Sequence, residues 1–221
     1  EADAIREVHR QANAEGRRVE TRVAALQSLL EMDPDRALPI LERIIQDDTP
    51  ENRELRNHAV MVACHQGGSR FQKMLLAMLE TETDEEFLEN IIFCLAMNPS
   101  EEGLDKLMEL FQRTKNPHLA EAVLISMTNM DNRQQSEKVF RFLMTTATDR
   151  SLDADIRQHA ILAMSMFDRD DELLKVLAQF TENNENPELQ EAALMALARM
   201  ENPKADQILR DMINQDDLAD D

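Results

Sequence analysis

Leu55-Arg56-Asn57-His58-Ala59 and Ile156-Arg157-Gln158-His159-Ala160 are one phrase written twice: an apolar residue, an arginine, a polar residue, a histidine and an alanine. Traced outward, the phrase belongs to a pattern that begins at Glu20, Glu54, Glu86, His118, Asp155 and Glu188, a spacing of 32 to 37 residues that suits helical repeats. Six positions after each start stands Leu26, Val60, Ile92, Leu124, Ile161 or Leu194, preceded by Ala25, Ala59, Ile91, Val123, Ala160 or Ala193. One position after the start come Leu55, Phe87, Leu119, Ile156 and Leu189, with Thr21 the exception. Nine after it come Leu29, Ala63, Leu95, Met127, Met164 and Leu197. Offsets of one, five, six and nine fall on one side of a 3.6-residue helix, and the small residues among them let a neighbouring helix approach closely.

After each of these helices comes a break and then a second run of apolar residues at helical spacing. Leu38, Leu41 and Ile45 form one such run; Leu104, Leu107, Met108 and Phe111 another; Leu173, Val176, Leu177 and Phe180 a third. Pro34, Gly67, Gly68, Pro99 and Pro203 lie near the breaks within pairs, and Pro50, Pro117 and Pro187 lie between pairs. Pro39 fits only if its helix has just begun there. A lone helix pair cannot bury its apolar side, whereas stacked pairs share a continuous core. The predicted fold is all-α: an α-solenoid of about six helix pairs, with repeats near 17–50, 51–83, 84–115, 116–151, 152–185 and 186–214. Residues 1–16, with Ile5, Val8 and Ala12 at helical spacing, read as a capping helix or the remnant of an earlier repeat. Residues 215–221 read as an acidic, frayed tail.

Composition agrees with that architecture. The 221 residues carry 44 acidic and 24 basic side chains, a net charge of −20, with only 4 Gly and 7 Pro. So few turn-formers argue against a β-sandwich or barrel. The acidity argues against nucleic acid, whose backbone is held by Lys and Arg. No run approaches the ~20 apolar residues of a membrane span. The chain begins at Glu1 without a leader pattern and reads as a piece, or the mature part, of something longer, which leaves the compartment open between cytoplasmic and exported.

Once aligned, the repeats resemble the HEAT-repeat family, especially the short bacterial kind called PBS-lyase HEAT-like repeats. The likeness covers about residues 20–214. It rests on the apolar-Arg-x-x-Ala phrase at Leu55–Ala59, at Ile156–Ala160 and, more weakly, at Thr21-Arg22-Val23-Ala24-Ala25. Leu88, Ala120 and Gln190 replace the arginine elsewhere. Asp33, Asp131 and Asp168 stand where the family often places Asp between paired helices, with Gly67, Pro99 and Glu201 in the other repeats. The resemblance implies a protein-binding scaffold without catalytic residues or cofactors. Its alternative is an accessory protein similar to phycobilin lyases or chaperones, a reading that the absence of Trp and Tyr weakens. DNA glycosylases of the same repeat type would need a basic channel.

Charge is unevenly shared between the two helix types. Windows around the first helices hold 5 basic and 16 acidic residues, and windows around the second helices hold 14 and 18. The resemblance places the second helices on a concave face, which would carry Arg36, Arg43, Arg70, Lys73, Lys106, Arg113, Arg133, Lys138, Arg141, Lys175 and Arg210. Part of this row is expected to contact a protein partner, with Arg offering the more directional hold on carboxylates. The competing reading is ordinary solvated charge paired with nearby acids.

Other chemistry-bearing residues read as structural. His58 and His159 share an offset in repeats too distant to share an ion, and no three ligands converge as zinc requires. Asp168-Arg169-Asp170-Asp171-Glu172 lacks the glycine and terminal glutamate of a calcium loop and reads as a helix start. Cys64 and Cys94 read as buried thiols, and Gly67-Gly68-Ser69 as a turn. The 14 methionines read mostly as core, with Met61 and Met144 as candidates for exposure.

Overall fold

A computed structural model describes residues 18–66, 68–130, 133–167, 170–182 and 186–217. Side chains are described there except at 34–36, 66, 133–136, 170–171 and 214–217. Among the described residues there are twelve α-helices and no strand. In chain order they are α1 (18–32), α2 (Pro34–Gln46), α3 (Arg53–Gln66), α4 (Ser69–Thr81), α5 (Glu85–Met97), α6 (Glu101–Arg113), α7 (Pro117–Asn129), α8 (Arg133–Thr148), α9 (Ala154–Met164), α10 (Asp170–Thr181), α11 (Pro187–Arg199) and α12 (Pro203–Asp217). These are the six expected pairs, odd-numbered helices first and even-numbered second, and their stacking is that of an α-solenoid. The chain divides into two compact units, residues 1–100 and 101–221.

The breaks come from side chains that satisfy orphaned helix ends. Asn116 Oδ1 accepts from the His118 N–H at 2.9 Å, and Asn186 Oδ1 from the Glu188 N–H at 3.0 Å. Each is followed by Pro117 or Pro187, whose missing N–H costs nothing at a helix start. Asn202 does the same for Lys204 at 2.9 Å ahead of α12. Asn98 works differently: its amide donates to the carbonyls of Cys64 and Cys94, both at 3.1 Å, closing the ends of α3 and α5 together. Pro39 departs from expectation, since α2 starts at Pro34 and Pro39 lies inside it. The proline forfeits one backbone bond in the second turn, on the exposed side. α12 also runs to Asp217, three residues into the segment expected to be a tail, because no Gly or Pro interrupts it. The expected capping helix at 1–16, the turn positions Gly67, Asp131 and Asp168, and residues 218–221 lie outside the described residues.

Packing follows the repeat. In the first unit α3 packs on α2 and α5; in the second, α9 packs on α7, α8 and α11. The predicted stripe is the core: Leu55, Ala59, Val60 and Ala63 of α3, Phe87, Ile91, Ile92 and Leu95 of α5, and Ile156, Ala160, Ile161 and Met164 of α9 are all buried. Ala25 is exposed and Leu29 half-buried, since α1 has a described neighbour on one side only, and Leu194 of α11 is half-buried as well.

The repeated arginine has a definite task. Arg56 Nε donates to the Ile45 carbonyl at 2.6 Å, and Arg157 Nε to the Ala147 carbonyl at 3.0 Å. Both acceptors lie near the C-terminal end of the preceding repeat's second helix, where carbonyls lack intrahelical donors and cations are favoured. Gln190, which stands in for the arginine in the last repeat, donates to the Thr181 carbonyl at 2.8 Å, so an amide fills the same role. The turns before the two arginine repeats are also alike. Asp47 accepts from Thr49, and Asp149 from Ser151, through both hydroxyl and backbone N–H, and these bonds hold each carboxyl below its ordinary range.

Candidate protein-interaction surfaces

Four cations of the second helices form ion pairs within their own unit. In the first, Arg70 of α4 reaches Glu42 of α2 at 2.7 Å. In the second, Lys138 of α8 pairs with Asp105 of α6, Lys106 with Glu109 at 2.8 Å, and Arg141 with Glu137, whose hydrogen bond and charge push the guanidinium pKa further up. Arg70–Glu42 and Lys138–Asp105 join consecutive second helices, so this surface is a mesh of alternating charges. Arg43, Lys73, Arg113, Lys175 and Arg210 are also exposed, while the side chains of Arg36 and Arg133 lie outside the described residues.

Among the described residues Arg56 is the one arginine taken out of solvent, at 5% exposed. Besides the Ile45 carbonyl it pairs with Glu82, and its guanidinium lies 3.6 Å from the centre of the Phe87 ring. Burial pushes the Glu82 carboxyl up, but hydrogen bonds from the Asp84 N–H, Arg56 and the Thr83 N–H outweigh it and leave the pKa below the usual range. The group is an interlock between repeats.

The described histidines, His58, His65, His118 and His159, are surface or half-buried groups, with His159 Nε2 2.9 Å from Glu121. Among the described residues no three His, Cys, Asp or Glu side chains gather to hold a metal. Of the acidic run, Asp168 and Arg169 lie outside the described residues. Cys64 and Cys94 are both buried, on the neighbouring α3 and α5, and the Cys64 thiol together with burial pushes the Cys94 thiol far up. Cys94 also contacts the Val60 carbonyl at 3.6 Å and borders a cavity of about 150 Å³ lined by Phe71, Gln72 and Leu75. The spatial pairing of these thiols was not foreseen from their separation of thirty residues.

A second surface was missed in the sequence. Met61 and Met144 are only partly exposed, and among the described residues the strongly exposed large apolar side chains are Met32, Phe93, Met97, Ile125, Met166, Met195 and Ile213. Phe93, Ile125 and Met195 all stand seven positions after a repeat start, as do the partly exposed Met61 and Leu162. At about 100° per residue, offset seven points roughly 175° away from the centre of the buried stripe. The signal lies in the outer offset, which carries Met61, Phe93, Ile125, Leu162 and Met195 on a helix side that is ordinarily polar.

Paired helices stacked edge to edge, with Arg56, Arg157 or Gln190 locking α3, α9 and α11 each to the repeat before it, define a helical-repeat protein. A family model described as HEAT repeats matches residues 141–220. No curated protein matches it. HEAT repeats commonly mediate contacts between proteins and are typically non-catalytic. None of the helices among the described residues is long and apolar enough to cross a membrane.

Proposed function

We propose that the chain is a non-catalytic scaffold or regulatory module that binds a protein partner, and no nucleic acid, along its second helices. The contact row is Arg36, Arg43, Arg70, Lys73, Lys106, Arg113, Arg133, Lys138, Arg141, Lys175 and Arg210. The observation that carries this reading is the pairing of Arg70 with Glu42 and of Lys138 with Asp105 across neighbouring second helices. Such exposed pairs are worth only about 0–1 kcal/mol, so a partner's carboxylates exchange with Glu42 or Asp105 at little cost. Affinity then comes from a few buried anchors, and charge sets register and approach. The triple variant Arg70→Glu, Arg113→Glu, Arg141→Glu, used to capture partners from extract, should lose the partner that the unaltered protein retains. Unchanged capture would remove the row from the binding surface.

A further inference from the structure

The second unit offers a docking surface on its first helices. Ile125 of α7, Leu162 of α9 and Met195 of α11 occupy the outward offset of three successive repeats, and these helices pack side by side. Ile125 is 50% exposed, Met195 46%, and Met166, in the turn after α9, 65%. The contact between His159 and Glu121 ties α9 to α7 about one turn before Leu162 and Ile125, which places these two residues at a common level. Three large apolar side chains in a row, with Met195 and the nearby turn's Met166 both exposed, adaptable methionines, form a surface of the kind that binds.

What flanks the row decides what it fits. Toward the N-terminal ends of the same helices lie Glu121, Asp155, Glu188 and Glu191; His118 and His159 lie among them, and Arg199 stands at the far end of α11. Arg157 is turned to the Ala147 carbonyl. One edge of the apolar row is therefore acidic, on a chain whose net charge of −20 draws cations from a distance. A second copy of the chain would bring the same carboxylates against themselves. Stacked helices are spaced roughly 8–10 Å apart, close to the ~10.5 Å that separates residues i and i+7 of a helix.

We infer that the outer face of α7, α9 and α11 binds a cationic amphipathic helix of a partner protein, its apolar residues seven apart seated on Ile125, Leu162 and Met195, and its lysines or arginines along the Glu121–Glu191 edge. This rests on the reading that the chain binds proteins but uses the other row of helices, so the two fail separately. The probe is a fluorescein-labelled Lys/Leu helical peptide with leucines seven apart and lysines on one flank, titrated by anisotropy against the whole chain. Controls are a scrambled peptide of the same composition and a Glu/Leu counterpart. The patterned cationic peptide should bind, the Glu/Leu peptide should not, and Ile125→Lys with Met195→Lys should weaken binding about tenfold or more while the helical circular dichroism is unchanged. Met166→Lys repeats the test in a turn, outside any helix. The triple reversal at Arg70, Arg113 and Arg141 should leave peptide binding intact. Absent binding, equal binding of the scrambled peptide, indifference to the lysine substitutions, or self-association that those substitutions abolish would each overturn the inference.

Discussion

Arg56→Ala tests whether the arginine of the repeated phrase is a structural interlock. Three losses follow from the geometry. The Ile45 carbonyl near the end of α2 loses a buried donor, which costs about 1–3 kcal/mol. The guanidinium stacked on Phe87 contributes about 0.5–2 kcal/mol. Glu82 loses its ion pair but keeps the N–H groups of Thr83 and Asp84, both at 2.8 Å, so its share falls well short of the ~3–5 kcal/mol for breaking a wholly buried pair. The first two losses sum to about 1.5–5 kcal/mol and Glu82 adds to them, which is on the order of 10 °C in Tm for a chain of this size. Arg157→Ala is the internal comparison. Arg157 is only partly buried and serves the Ala147 carbonyl, so about 1 kcal/mol is expected. Arg56→Lys should recover little, because one ammonium cannot serve a carbonyl, a carboxylate and a ring together. Urea and thermal unfolding followed by far-ultraviolet circular dichroism is the assay, since the chain has no Trp or Tyr to report by fluorescence. If Arg56→Ala destabilises no more than Arg157→Ala, the interlock argument is wrong.

Two further outcomes follow from the ionisable groups. Because the folded pKa of Glu82 lies below its ordinary value near 4.5, its contribution is present above that pH and is lost as pH falls through the folded value; the acid side of a stability–pH profile should flatten in Glu82→Gln, and an unchanged slope would contradict this. Cys64 and Cys94, both buried where α3 packs on α5, should resist a thiol reagent in native buffer and both react in urea; rapid labelling of the native protein would show that the α3–α5 contact opens readily.

How much was readable in advance differs from residue to residue. Each first helix shows its inward side as Leu, Ile, Val and Ala at offsets one, five, six and nine, and that local periodicity specified six pairs and nearly the whole core. Prolines and asparagines marked the breaks because capping and a missing N–H are local properties. The task of Arg56 was not readable: the sequence shows an arginine in a phrase, but its acceptor at Ile45 belongs to the preceding helix and its ring partner Phe87 to the next repeat. Gln190 was tabulated as a departure from the pattern, yet it performs the same function, because the carbonyl of Thr181 asks only for an N–H. Cys64 and Cys94 looked like separate thiols until α3 and α5 were laid side by side.

Repeat number, helix type and inward side are set by spacing along the chain, where each residue's neighbours on its own helix are known from the 3.6-residue turn alone. Which side chains meet across helices depends on how one helix slides and rotates on the next, a choice made by the packing of many residues at once. That choice paired Arg70 with Glu42 and Lys138 with Asp105, and it brought Ile125, Leu162 and Met195 into one row on the outside.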